Sequence, residues 1–155
     1  LPCIVILGDS MRVYFIFDVK EEFINLYLGN ERILFNILKQ IYYLEKDEAE
    51  YGYHLFKQLI NPIEKSKIDR ALFLKLHQDI PYSKRGDIHY YNNLYKDEIS
   101  RLTVKHSYIK IETEQLSSSF FSYLNILNPR LFVCEFRYQD YFFLQDSLEK
   151  EVKPL

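Results

Sequence analysis

The chain has 155 residues, 48% apolar and 27% charged, which suffices for one hydrophobic core and is too apolar for a disordered segment. Lys and Arg number 20 against 22 Asp and Glu, and the net charge of -2 excludes the overall basic footprint of a dedicated nucleic-acid or anionic-membrane binder. No apolar run approaches the ~20 residues of a membrane-spanning helix, and Cys3 and Cys134, the two cysteines, read as reduced thiols of a cytoplasmic protein.

Residues Leu1 to Ser10 form an apolar run ending in Gly8-Asp9-Ser10. The block resembles the first motif of the GDSL esterases, with Ser10 as nucleophile. That chemistry needs a histidine base held by an acid near the C-terminus, and no histidine follows His106. Met11 opens directly on a strand-like run, so residues 1–10 are expected to be a non-native extension translated from upstream, and residues 11–155 a single domain.

Val13 to Phe17 has the length and aromatic content of a strand. Asp18, with Glu21 three residues on, predicts the N-cap of a helix beginning at Val19, and Gly29 supplies its left-handed end. A second helix is predicted from Glu31 to Leu44. A third, from Glu48 to Ile60, stops before Asn61-Pro62, because the residue preceding proline resists the helical region. Ile68 to His77 reads as a fourth, and Pro81 to Gly86 as a loop. Period-two patterning then predicts a hairpin of Ile99–Lys105 and Ser107–Glu112. A helix from Gln115 to Leu127 and a central strand from Leu131 to Phe136 follow, with an aromatic tail at Tyr138 to Leu144. The order strand, helices, two strands, helix, strand predicts an α+β domain, its helices packed on one face of a mainly antiparallel sheet.

The first helix carries more grease than a core-facing stripe requires. At about 100° per residue, Phe23, Leu26 and Tyr27 fall together and Ile24 and Leu28 lie in the next quadrant. The apolar arc spans roughly 200°, about twice what covering a core needs. Either the helix lies between two layers, or one flank forms an exposed binding surface with Phe23 and Tyr27 as paired aromatics.

The residues Phe15-Ile-Phe-Asp-Val-Lys-Glu-Glu-Phe-Ile-Asn-Leu-Tyr-Leu-Gly29, with Glu31 and Phe35 beyond them, resemble the N-terminal signature of the sporulation inhibitor of replication (SirA) family. Its centre is Lys20-Glu21-Glu22-Phe23, then Asn25, Tyr27 and Gly29. Ile109-Lys110-Ile111 and the Leu131–Phe136 strand fit the same family more loosely. The resemblance implies a non-enzymatic regulator of Bacillus and relatives, made at the onset of sporulation. It implies binding to the N-terminal domain of the replication initiator DnaA, as a 1:1 complex with an otherwise monomeric protein. Phe23 and Tyr27 would be the anchors, with Glu22, Lys20 and Ile109 also at the interface.

Elsewhere the signals are weak. His54, His77, His89 and His106 share no metal-ligand spacing, and all read as surface or half-buried residues. The glycines are isolated, so no phosphate loop forms, and no cofactor is expected. The acidic pairs Glu21-Glu22 and Asp97-Glu98 read as capping or solvated residues. A different class of function, an RRM-like nucleic-acid module, would use Tyr90, Tyr91 and Tyr108 on an open sheet beside Lys84, Arg85, Arg101, Lys105 and Lys110.

Overall fold

A computed structural model describes residues 11–147. The expectations for Cys3, Ser10 and the N-terminal extension lie outside the described residues. The architecture follows from the alternation of its central strand, β1 (Arg12–Phe17). Tyr14 and Ile16 point to one face and Phe15 and Phe17 to the other, and all four are buried. A strand apolar on both sides must be covered on both sides.

The sheet is antiparallel throughout, in the order β2-β3-β4-β5-β1-β6-β7. Its other strands are β2 (Tyr82–Arg85), β3 (Ile88–Asn93), β4 (Glu98–Val104), β5 (Ile109–Thr113), β6 (Phe132–Glu135) and β7 (Asp140–Phe143). The helices are α1 (Glu21–Leu26), α2 (Glu31–Tyr42), α3 (Ala49–Leu59), α4 (Lys65–Leu76) and α5 (Ser119–Leu127). On the first face, Leu72 and Leu76 of α4 and Phe120, Phe121 and Leu124 of α5 pack over Ile16, Leu102, Ile111 and Val133. On the second, Ile24, Leu34, Phe35, Leu38 and Leu59 of α1–α3 pack over Phe15, Phe17, Phe132 and Cys134. The fold is therefore α+β as expected, but its helices form two layers rather than one.

Much of the aromatic content is consumed in the second cluster. Phe35 stacks on Tyr141 at 4.8 Å, Tyr42 on Phe136 at 4.7 Å, and Phe15 meets Tyr42 at 5.1 Å. Offset and tilted ring pairs of this kind contribute beyond their buried area.

Two strands, β2 and β7, replace segments expected to be loop and tail, and a third, β3, fills a stretch for which no element is predicted. Pro81 to Gly86 holds β2, an edge strand whose Ser83, Lys84 and Arg85 are exposed, which gives it the polarity of a loop. It turns through Gly86, at φ 58°, into β3 with Arg85 opposite Ile88. β7 folds back on β6 with Cys134 opposite Tyr141. Helix starts also move. Val19 bridges to Ile60 and the Lys20 N–H donates to the Leu59 carbonyl, so the backbone stays extended and α1 begins only at Glu21. Asp18 is not its cap; the Asp18 carboxylate accepts from the Asn61 amide at 3.3 Å. α5 starts four residues later than expected, capped by the Ser118 hydroxyl, which accepts from the Phe120 N–H.

Candidate protein-binding surface

The six-residue α1 and the turn after it are held from below by backbone and core. Lys20 O accepts from the N–H groups of Phe23 and Ile24, and Phe23 O from that of Tyr27. Ile24 is buried. Phe23 and Tyr27 are half-buried and lean on the second core cluster. Gly29 closes the turn at φ 81°, a conformation that costs L-residues about 1–2 kcal/mol.

The surplus predicted for this helix is present, but its most exposed members are the leucines. Leu26 is 65% exposed and Leu28 is 69% exposed. Phe23 and Tyr27 are only partly exposed and pack against the second core cluster. Around them Glu22 is exposed and Lys20 partly so, while Glu21 pairs with Arg130 at 3.1 Å. The arrangement is an apolar patch with charged residues at its margin, the layout of a protein-binding surface. Ile109 does not belong to it. At 1% exposure it sits in the first core cluster, where β5 crosses beneath α4 and α5, so it cannot touch a partner.

The same helical layer holds an open cavity of about 320 Å³ lined by Phe15, Phe17, Leu38, Tyr42, Phe56 and Tyr108. α2 and α3 meet beside it at Gly52, where any Cβ would collide with the Leu44 side chain.

One histidine departs from expectation. His89 has no exposed surface and both ring nitrogens are engaged. Nδ1 lies 2.8 Å from the Tyr82 hydroxyl and Nε2 lies 2.7 Å from the Asp69 carboxylate, which also accepts from Lys65 at 2.8 Å. Burial lowers the His89 pKa, and the bond to Asp69 opposes this without overcoming it. The neutral ring therefore donates Nε2–H to Asp69 and accepts the Tyr82 O–H. Burial pushes the Asp69 pKa up, but the bonds from Lys65 and His89 outweigh it and leave a net lowering. The Tyr82 hydroxyl is pushed up to about 12, chiefly by burial. Sequence spacing could not reveal this group, because Lys65, Asp69 and His89 meet only when α4 lies across β3.

The acidic pairs behave as read. Glu98 is buried and its carboxylate accepts the Ser119 N–H at 2.9 Å and the Ser100 hydroxyl at 2.6 Å, fastening the start of α5. Of the three tyrosines assigned to an open nucleic-acid face, Tyr91 is buried on the helix-covered side and Tyr108 packs against Phe15 at 5.4 Å. Tyr90 alone stays on the open side. Among the described residues there is no group of three or more His, Cys, Asp or Glu able to hold a metal ion, and no helix long and apolar enough to cross a membrane.

A seven-stranded antiparallel sheet with helices on both faces, and an exposed apolar patch on and just after one short helix, defines an α+β domain. The chain belongs to the SirA family, the sporulation inhibitors of replication, whose family model matches residues 12–147. No curated protein sequence matches the chain.

Proposed function

We propose that the α1 surface binds the N-terminal domain of the replication initiator DnaA and, by occupying it, prevents new rounds of replication when sporulation begins. The family supplies the regulatory role, and the residues supply the means. The observation that carries this reading is the exposure of Leu26 and Leu28 beside the half-buried Phe23 and Tyr27. Such a patch gains by burial on a partner, and it needs no catalysis or cofactor to act. Lys20 and Glu22 form the rim and orient the docking. The protein works in the cytoplasm as a 1:1 partner of the initiator.

Hydrogen exchange with and without the isolated initiator domain tests this reading. Slowed exchange concentrated at Phe23 to Leu28 is expected. Protection confined to any other element, with α1 unchanged, would contradict it.

A further inference from the structure

Helices α1–α3 cover the second face of the sheet only over β1, β6 and β7. Over β2, β3 and β4 the same face lies open among the described residues. Register defines it as a grid. One row runs Arg85, Ile88, Thr103, Lys110, and the next runs Ser83, Tyr90, Arg101, Glu112. Asn92 and Ile99 extend it at one end, and Lys105 follows Thr103 at the other. None of these residues belongs to either core cluster. Ser83, Arg85, Asn92, Ile99 and Lys105 are exposed, and Tyr90 and Arg101 are partly so.

The charge of this face differs from that of the chain. Four cations, Arg85, Arg101, Lys105 and Lys110, share it with two carboxylates: Glu112, which pairs with Arg101 at 3.0 Å, and the partly buried Glu114 beside Ile99. Lys105 and Lys110 form no ion pair among the described residues. Lys84 leaves the strip expected from sequence, since its ammonium donates to the Gly86 carbonyl. Arg101 and Thr103 on β4 and Lys105 just beyond its end stand two residues apart, a spacing of ~6.8 Å in extended chain. The Arg85 guanidinium lies 5.7 Å from the centre of the Tyr90 ring, so the ring is already flanked by a cation.

We propose that this open sheet face binds single-stranded nucleic acid, with phosphates along Arg85, Arg101, Lys105 and Lys110 and a base stacked on Tyr90. Composition decides between this and a protein partner. Protein interfaces are depleted of Lys and built around apolar anchors, whereas nucleic-acid interfaces are more polar and much more positively charged. Here Lys and Arg surround one aromatic, with Asn92, Ser83 and Thr103 as neutral hydrogen-bonding groups. The net charge of -2 conceals the patch because most of the 22 acidic residues lie elsewhere. This surface is separate from α1, so it does not depend on the reading of that helix.

Fluorescence anisotropy of a labelled oligothymidine of about 16 nucleotides, titrated with the full chain, tests the proposal. Neutralising about three phosphates predicts a salt slope near -2, hence a roughly 20-fold loss of affinity between about 50 and 200 mM salt. The double variant Arg85→Glu, Lys105→Glu, shown folded by circular dichroism, is expected to lose binding. Tyr90→Ala is expected to weaken it at least ~5-fold, and Tyr27→Ala to leave it unchanged. Absence of binding at low salt, or equal binding by the double variant, would overturn the proposal. So would unchanged binding by Tyr90→Ala with poly-glutamate competing as well as oligothymidine, which would mark a general polyanion patch.

Discussion

Leu26→Ala isolates the binding surface from the fold better than either aromatic does. The substitution removes three side-chain carbons worth about 0.8 kcal/mol each when buried. Because Leu26 is 65% exposed in the free protein, about two-thirds of that value is available only to a partner. Affinity for the initiator domain should fall by ~1.6 kcal/mol, about 15-fold. The remaining third belongs to the fold, so stability should fall by less than ~1 kcal/mol, with the better helix propensity of Ala recovering some of it. Calorimetric titration gives the first quantity and urea unfolding the second. Ile126→Ala on α5 is a matched control, since Ile126 is 66% exposed in the opposite helical layer. Wild-type affinity in Leu26→Ala, or an equal loss in Ile126→Ala, would refute the assignment of the surface to α1.

Three further outcomes follow from the geometry. Gly29→Ala meets no steric obstacle but must hold φ near 81°, so it should destabilise by about 1–2 kcal/mol in urea unfolding, and Gly29→Asn by less. The folded-state pKa of His89 is lowered by burial, so the unfolded chain binds its proton first. Stability is full above the unfolded value of about 6.5 and declines below it towards the folded value, by up to ~1.4 kcal/mol per pH unit. His89→Gln should flatten that decline in unfolding curves between about pH 6.5 and 5, the range that starts at the unfolded histidine pKa. Asp69 contributes its own loss only at lower pH, because its pKa is lowered from 3.8. Cys134 is fully buried and burial raises its thiol pKa well above normal, so peptide-level mass spectrometry should find it unlabelled by iodoacetamide until the protein unfolds.

Local signals survived where they were strong and local. The aromatic run of β1, the glycine at position 29, the extent of α2 and the Asn61-Pro62 stop all appear close to where periodicity and capping place them. What escaped depends on distant contacts. β2 reads as a loop because only Tyr82 of its four residues faces the core, and pairing with β3 supplies the rest. The second helical layer was legible but unread: once Val13 to Phe17 is a strand, alternation puts Phe15 and Phe17 opposite Tyr14 and Ile16, and two apolar faces need two covers. For the binding surface, the excess apolar arc of α1 was legible. Its division was not: Ile24 goes to the core, Phe23 and Tyr27 to the boundary, and Leu26 and Leu28 to solvent. Ile109 was misplaced because the sequence does not show that β5 turns Ile109 and Ile111 to the helix-covered face and Lys110 to the open one. The His89 chain was invisible because its members come from α4, β2 and β3.

The central claim is that α1 engages the replication initiator, and calorimetric titration of the full chain against the isolated N-terminal domain of DnaA tests it most directly. Saturable 1:1 binding is expected, weakened by ~30-fold in Tyr27→Ala and comparably in Phe23→Ala when both variants are folded. No heat of binding from a well-folded chain, or full affinity in both variants, would contradict it.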